Sequence, residues 1–431
     1  MEYRELTEHD GELLQVATLG TFNWSFPRFS LTDIELNPDL SKYAAFHPTR
    51  GDFGFVADQD GTAAGLVWAL KLSGADAGYG HVDNEIPEIG LWVHPQYRRQ
   101  GIATKLLSLA QDHARARKLP GLSLSVEPKN HARKIYEDMG FHEVRRDTAI
   151  TMVWRLHDHP LTHQPFPSPV PAGMGWPNDL ADQSTTRART PAGVRRLAKT
   201  AANLEELDAR VSVCGACPRL VRWREDVAIE KRAAFKSEPY WGRPVPGWGD
   251  PDAQTLIVGL APAAHGANRT GRIFTGDRSG DWLFAALHRA GFANQQHSNT
   301  AGDGLVLSNV RITSPVHCAP PQNKPTTEEK AACAPWLDRE LEMLAPQLEA
   351  IVALGGIGWA QVITTARRIG WEVPKPAPKF GHGAEAALLT GNRPIRLIGC
   401  YHVSQQNTFT GKLTTEMLDE IMSRLPAPKN S

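Results

Sequence analysis

Apolar positions along the chain fall into two patterned blocks separated by a stretch with no period. In the first block Ile89, Leu91 and Val93 alternate as on a strand, and Pro95 ends it. A helix follows, with Leu106, Leu107 and Ala110 on one face. In the second block short apolar runs alternate with helical patterns. Strands are predicted at Thr255–Leu260, Leu305–Thr313, Ile351–Gly355 and Arg396–Cys400, and helices at Asp281–Ala290, Thr327–Leu348 and Gly358–Ile369. Strands separated by helices imply parallel pairing, so an αβα sandwich with a central parallel sheet is expected behind a mixed α/β first domain. Between the blocks, residues 156–199 carry prolines every few positions and lose apolar periodicity. Such a segment reads as a semi-extended interdomain linker. Order is expected to resume at Asn203, the N-cap of a helix over Leu204–Arg210. The expected domains are residues 1–155 and 200–425.

Length agrees with that division, because 431 residues exceed one ordinary core. Lys plus Arg (47) balances Asp plus Glu (47), so any nucleic-acid surface must be a local patch. No apolar run reaches membrane-spanning length, and the N-terminus lacks a secretory h-region. The five cysteines are few and odd in number, and none precedes Cys214. This argues for a site built from thiolates and against a secreted disulfide scaffold. A cytoplasmic monomer without membrane contacts is expected.

In the first block, Arg98-Arg99-Gln100-Gly101-Ile102-Ala103 leads from the strand ending at Val93 into the helix. A helix N-terminus with small residues in its first turn presents unpaired N–H groups and a positive dipole end to a pyrophosphate. A second motif runs from Asn130 through Tyr136 to Gly140-Phe141. Together these resemble the GNAT acyltransferase family over roughly residues 1–155. The resemblance implies acetyl-CoA bound along Val93 and Arg98–Ala103, with Asn130 contacting the cofactor and Tyr136 protonating the departing thiolate. A core aromatic on an amphipathic helix explains Tyr136 equally well. Glu85 and Glu88 are candidates for the general base. The acetyl acceptor is unspecified, and a domain that kept the fold but lost the chemistry is the alternative.

The second block holds three constellations. The strand Thr255–Val258 opens into Gly259-Leu260-Ala261-Pro262-Ala263-Ala264-His265-Gly266, ending at Phe274-Thr275-Gly276-Asp277. Small side chains let backbone approach a ligand closely. Cys214-x-x-Cys217, Cys318 and Cys333 have the makings of one metal centre, for which zinc is the default occupant. Cys400, at the end of an apolar strand, reads as core. The segment Tyr401-His402 through Asn407, Lys412 and Thr414 also follows a strand, which brings His402 to the same edge of the sheet.

These three segments resemble the uracil-DNA glycosylase superfamily, specifically its iron–sulfur family 5, over about residues 200–425. The resemblance implies a [4Fe–4S] cluster on Cys214, Cys217, Cys318 and Cys333, and uracil-containing DNA as partner, hence association with the nucleoid. It implies that Phe274 stacks on an everted base while Gly259, Ala261, Pro262, Ala263 and Ala264 line the pocket. His402 would stabilise charge on a base carbonyl as the glycosidic bond breaks, and Asn407, Lys412 and Thr414 would contact DNA. Arg269 and Arg272 are expected at phosphates or the pocket wall. Asp277 either orients water or caps the next helix. Ser314 stands where an asparagine often reads the base, so a broad range of deaminated bases is expected. No lysine is placed for lyase chemistry. The competing class is a nucleic-acid binding module with a structural metal and no turnover.

Overall fold

The computed structural model describes residues 1–428. Contacts divide the chain into unit 1, residues 1–158 with 164–167, and unit 2, residues 159–163 with 168 onward.

Unit 1 is a seven-stranded sheet of order β1-β2-β3-β4-β5-β7-β6. Its strands are β1 (Glu2–Glu5), β2 (Phe53–Gln59), β3 (Thr62–Leu70), β4 (Glu88–Val93), β5 (Gly121–Val126), β6 (His142–Arg146) and β7 (Ile150–Arg155). The helices are α1 (Gly11–Phe22), α2 (Leu31–Leu36), α3 (Pro38–Ser41), α4 (Ile102–Ala116) and α5 (Ala132–Asp138). Strand β3 is buried on both faces, and its alternation sorts the helices. Leu66, Trp68 and Leu70 pack with Leu14 and Ala17 of α1, whereas Val67 and Ala69 pack with Leu106 and Ala110 of α4. All neighbouring strands are antiparallel except β4 and β5, which pair at the single position Glu88↔Ser123 and then diverge.

A two-strand ladder of β8 (His157–Asp158) and β9 (Pro165–Phe166) lies where the chain passes between the units. Unit 2 then contains α6 (Pro191–Lys199), α7 (Leu204–Ser212), α8 (Pro218–Glu230), β10 (Trp248–Gly249), β11 (Thr255–Val258), α9 (Ala267–Thr270) and α10 (Arg278–Arg289). It continues with β12 (Val310–Thr313), α11 (Thr327–Leu344), β13 (Ala350–Leu354), α12 (Gly355–Arg368), β14 (Glu385–Thr390), β15 (Arg393–Cys400), α13 (Gln405–Phe409) and α14 (Thr415–Ser423). The sheet order is β10-β12-β11-β13-β15-β14. Its four central strands are parallel, as expected, and both edges are antiparallel. Every residue of β11 and β13 is buried, because helices cover both faces. Leu256, Val258, Ile351 and Ala353 pack against Leu337 and Leu341 of α11 and Val362 of α12.

Two expectations are corrected by tertiary structure. The strand foreseen from Leu305 forms only at Val310–Thr313, because Asn309 adopts a left-handed φ of 59° and breaks the extension. Most of the proline-rich segment is no free spacer. Val170, Trp176, Ala181 and Ala188 are buried in unit 2. Trp176 Nε1 donates to Thr270 O at 3.1 Å, and Asp179 pairs with Arg243 at 2.7 Å. Single anchors spaced by prolines carry no period, yet each fixes chain whose unfolded entropy proline already limits. Helix α6, capped by Thr190, falls inside the expected linker and packs on α11. Among the described residues, no helix is long and apolar enough to cross a membrane.

Candidate active site

The Gly-rich loop leaves β11, and the His402 loop leaves β15, both at the carboxyl edge of the parallel strands. They meet there. The rings of Phe274 and His402 lie with centroids 6.2 Å apart, at 45°. Phe274 reaches this place through a left-handed φ of 54°, and its ring closes on Gly259, where a Cβ would come within 3.0 Å of Cζ. Gly280 at the start of α10 must lack a side chain, because Phe274 O occupies that space. Gly355 opens α12 with φ +85° beside His402 Cβ. The requirement for glycine is therefore steric at Gly259 and Gly280, and one of backbone conformation at Gly355.

Internal bonds hold both loops. Ala263 O accepts from Asn268 N at 3.0 Å, and Pro262 is buried. Ala261 packs toward Val316 and Cys318, and Ala264 toward Tyr240. Arg269 and Arg272, foreseen at phosphates or the pocket wall, are engaged by carboxylates and backbone within unit 2. Arg269 pairs with Glu238 at 2.5 Å and donates to Gly276 O, and Arg272 pairs with Asp303 at 2.7 Å and bonds Thr275. A loop of small residues has little side-chain packing, and buried guanidinium forks supply the missing cross-links. Asn407 Nδ2 donates to His402 O at 2.8 Å, while Asn407 O accepts from Leu413 N at 3.0 Å. Asn407 thus knits the loop that presents His402. Thr414 is the N-cap of α14 and accepts from Met417 N. Lys412 is exposed, with Nζ 5.0 Å from the Tyr401 ring centroid.

Asp277 caps α10, its Oδ1 accepting from Gly280 N at 3.0 Å, and burial raises its carboxyl above the usual range. The carboxylate fits against Gly266, where any Cβ would collide with it. Ser314 is fully buried and its Oγ donates to Val316 O at 2.9 Å, so its hydroxyl turns the chain. Burial pushes the His402 imidazole below its ordinary pKa, which keeps it neutral near pH 7. Phe409 was not foreseen: at the end of α13, nine residues beyond the last residue of β15, it stands 71 % exposed. A lone aromatic among Gln, Asn and Thr gives no periodic signal.

Cys214, Cys217, Cys318 and Cys333 line one cavity together with Arg224, His317 and Trp336. Among the described residues, no group of three or more His, Cys, Asp or Glu side chains could hold a single metal ion. Thiolate donors around a common cavity are the ligand chemistry of zinc and of iron–sulfur clusters alike. Burial pushes the Cys217 thiol up to about 12 and raises Cys214 and Cys333 as well, so loading this cage releases protons. Cys400 is buried apart from the cavity, its Sγ against Tyr401 O at 3.3 Å. Helices bearing the cage are tied to the sheet by Arg311 of β12. It pairs with Asp208 of α7 at 2.8 Å and Glu340 of α11 at 2.6 Å.

In unit 1, β4 and β5 share a single ladder position, and β4 leads through residues 94–101 into α4. Arg99 (φ 62°) and Gly101 (φ 78°) turn the chain there, and Arg98 Nε bonds Val93 O at 3.4 Å. Gln100 bonds Gln96 O, and Ile102 points into the core, so this loop offers backbone N–H groups ahead of Ala103. Asn130 Oδ1 is engaged by Ala132 N at the start of α5. Tyr136 is a core ring beside Phe141, and packing alone accounts for it. Of the two base candidates, Glu85 is exposed and paired with Lys71. Glu88 is buried, bonded by Tyr43 OH (3.1 Å) and Gly80 N (2.8 Å), with Oε2 unpartnered. Burial pushes its carboxyl up to about 7.

Loops meeting over the ends of parallel strands are where such sheets bind ligands, and sequence relatives give the class. The profile of the uracil DNA glycosylase superfamily matches residues 246–425, and that of the GNAT acetyltransferase family residues 18–141. The chain belongs to the uracil-DNA glycosylase superfamily, with a GNAT domain ahead of it. Within that class its relatives are the type-5 enzymes. The type-5 uracil-DNA glycosylase of Mycobacterium tuberculosis is 55% identical over 263 residues, 61% of this chain and 96% of that protein. That of Thermus thermophilus is 50% identical over 212 residues, 49% and 92% of the two chains. A type-4 uracil-DNA glycosylase of Sulfurisphaera tokodaii reaches only 35% over 112 residues, 26% of this chain and 44% of that protein.

Proposed function

We propose that unit 2 hydrolyses the N-glycosidic bond of uracil in DNA, leaving free base and an abasic site. The convergence of Phe274 and His402 carries this reading, since a ring face and a polar donor at one strand edge are what an everted base requires. Phe274 stacks on the base, and neutral His402 donates to a base carbonyl oxygen as the C–N bond lengthens and negative charge gathers there. Water adds at the sugar carbon, and the Asp277 carboxylate, which also caps α10, would orient it or offset the sugar's positive charge. Release of free uracil from a duplex in a single-turnover assay tests the proposal; binding without release favours a non-catalytic DNA module instead.

With Ser314 engaged internally, base edges are read by backbone groups, so uracil, hypoxanthine and xanthine duplexes are all expected to be cut. Release confined to uracil would show a side-chain reader. Phe409 stands free to wedge into the stack beside the everted base. Phe409→Ala is expected to weaken binding by ~1–3 kcal/mol, the worth of one base–aromatic stack. Titration of a labelled duplex checks this.

A [4Fe–4S] cluster held by Cys214, Cys217, Cys318 and Cys333 would brace the structure without entering hydrolysis. Unit 1 transfers an acetyl group from acetyl-CoA to an amine. The backbone N–H groups of Arg98–Ala103 hold the pyrophosphate, and Glu88 Oε2 takes the proton of the incoming amine, directly or through water. Because Glu88 must be ionised, transfer is expected to rise with pH through about 7, and Glu88→Gln to abolish that rise. A pH profile of acetylation of an amine panel reads this out. The same shift lowers stability as pH rises from the ordinary glutamate value of 4.5 to about 7, where the unfolded carboxyl has lost a proton that the folded one keeps.

A further inference from the structure

Arg224 occupies a position where the pattern of α8 calls for an apolar side chain. Leu220, Arg224, Val227 and Ala228 form the buried stripe of that helix, and the Arg224 side chain is only 2% exposed. Its Nη1 donates to Cys318 Sγ at 3.0 Å and to Cys214 O at 3.1 Å. Its Nη2 reaches only the partly exposed Glu225, at 3.4 Å, and its Nε is buried without a partner. A guanidinium this deep, so weakly matched by carboxylate, is costly unless other negative charge faces it. Four neutral thiols do not provide that charge, whereas a cage of four thiolates does. Arg224 also reaches the base pocket through its main chain, since its carbonyl accepts from Asn268 Nδ2 at 3.1 Å, and Asn268 lies in α9 within the Gly-rich loop.

We propose that Arg224 is the counter-charge of the metal centre, holding its reduction potential up through the Cys318 sulfur, and that it anchors the base-pocket loop to that centre through Asn268. The inference rests on the cluster reading above. A positive donor at a ligand sulfur stabilises the more electron-rich state of such a cluster, so loss of an electron to dioxygen, which would yield the over-oxidised state that breaks down and bleaches, becomes less favourable. A carbonyl link from the same residue then makes the pocket loop sensitive to loss of the centre.

The experiment uses the full-length protein. Iron and acid-labile sulfide in the wild type are measured first; zinc in their place sinks the cluster reading alone. Arg224→Met, Arg224→Gln and Arg224→Lys are then compared by metal content, midpoint potential and bleaching of the visible absorbance in air. The neutral variants are expected to have a lower potential and to bleach roughly tenfold faster, the scale of one lost charge-assisted hydrogen bond. Arg224→Lys keeps the charge and is expected to stay near the wild type in potential while losing the forked geometry. Neutral variants with wild-type potential and bleaching would overturn the proposal. Should the neutral variants fail to fold, an iron-replete Arg224→Lys supports the requirement for charge, and equal failure of all three overturns it. For the loop link, Asn268→Ala is expected to lower base release while leaving potential and iron unchanged; unchanged release overturns that half.

Discussion

Replacing His402 by alanine is expected to slow base release by roughly 10²–10³-fold while leaving DNA affinity nearly unchanged. The size follows from the kind of contact. His402 sits against Phe274 in a buried place that keeps the imidazole neutral, so in the proposed role it would meet the ground-state base as one ordinary donor. Its bond strengthens only as the leaving base gains negative charge, which is the condition for an effect on the chemical step. Asn407 holds His402 through its carbonyl and Leu413 fixes the loop, so removal of the imidazole leaves the backbone in place. Single-turnover rates at saturating enzyme, set beside binding to an uncleavable duplex, separate the two effects. A variant that loses affinity but keeps its rate would falsify the role.

Cys217→Ser is expected to remove bound iron and to lower the melting temperature of unit 2 together. Cys217 sits at the N-terminus of α8, two turns ahead of Arg224, and shares one cavity with the other three cysteines. Breaking that cage leaves the Arg224 guanidinium buried without its counter-charge, a loss of roughly 3–5 kcal/mol by analogy with broken buried ion pairs. Cys400→Ala provides the contrast, because Cys400 lies outside the cavity and should retain full iron. Iron content and a thermal melt of both variants decide the matter. An iron-replete Cys217→Ser protein with normal melting would show that Cys217 is not a required ligand of the centre.

Much of the site could be read before any coordinates, because its parts are local. Gly259, Phe274, His402 and the four cysteines all stand in segments whose composition is unusual over a few residues. Arg224 and Asn268 were missed for the opposite reason. A lone arginine in a helix rich in charge looks like a solvated position, and nothing local says that two turns after Cys217 it faces a sulfur contributed by residue 318. Arg269, Arg272 and Thr414 carried the chemistry of phosphate contacts but turned out to be engaged with Glu238, Asp303 and a helix N-terminus. Residue type permits both uses, and only the position of a partner far away in sequence selects one. Tyr136 illustrates the same ambiguity in unit 1, where the aromatic that a motif marks is also the one that fills the core.

Period and composition by themselves determined two domains, parallel central strands in the second, and which loops leave the strand ends. These properties depend on neighbours within a few residues, and burial of a face enforces them wherever the segment ends up. Tertiary structure alone decided that the proline-rich stretch buttresses unit 2 and that the sheet carries antiparallel edges. It also decided that the Gly-rich and His402 loops close on each other, and that a buried guanidinium faces the thiols. Each of those depends on a free-energy balance between groups distant along the chain, where one charge or one ring finds its partner only after the core has brought the segments together.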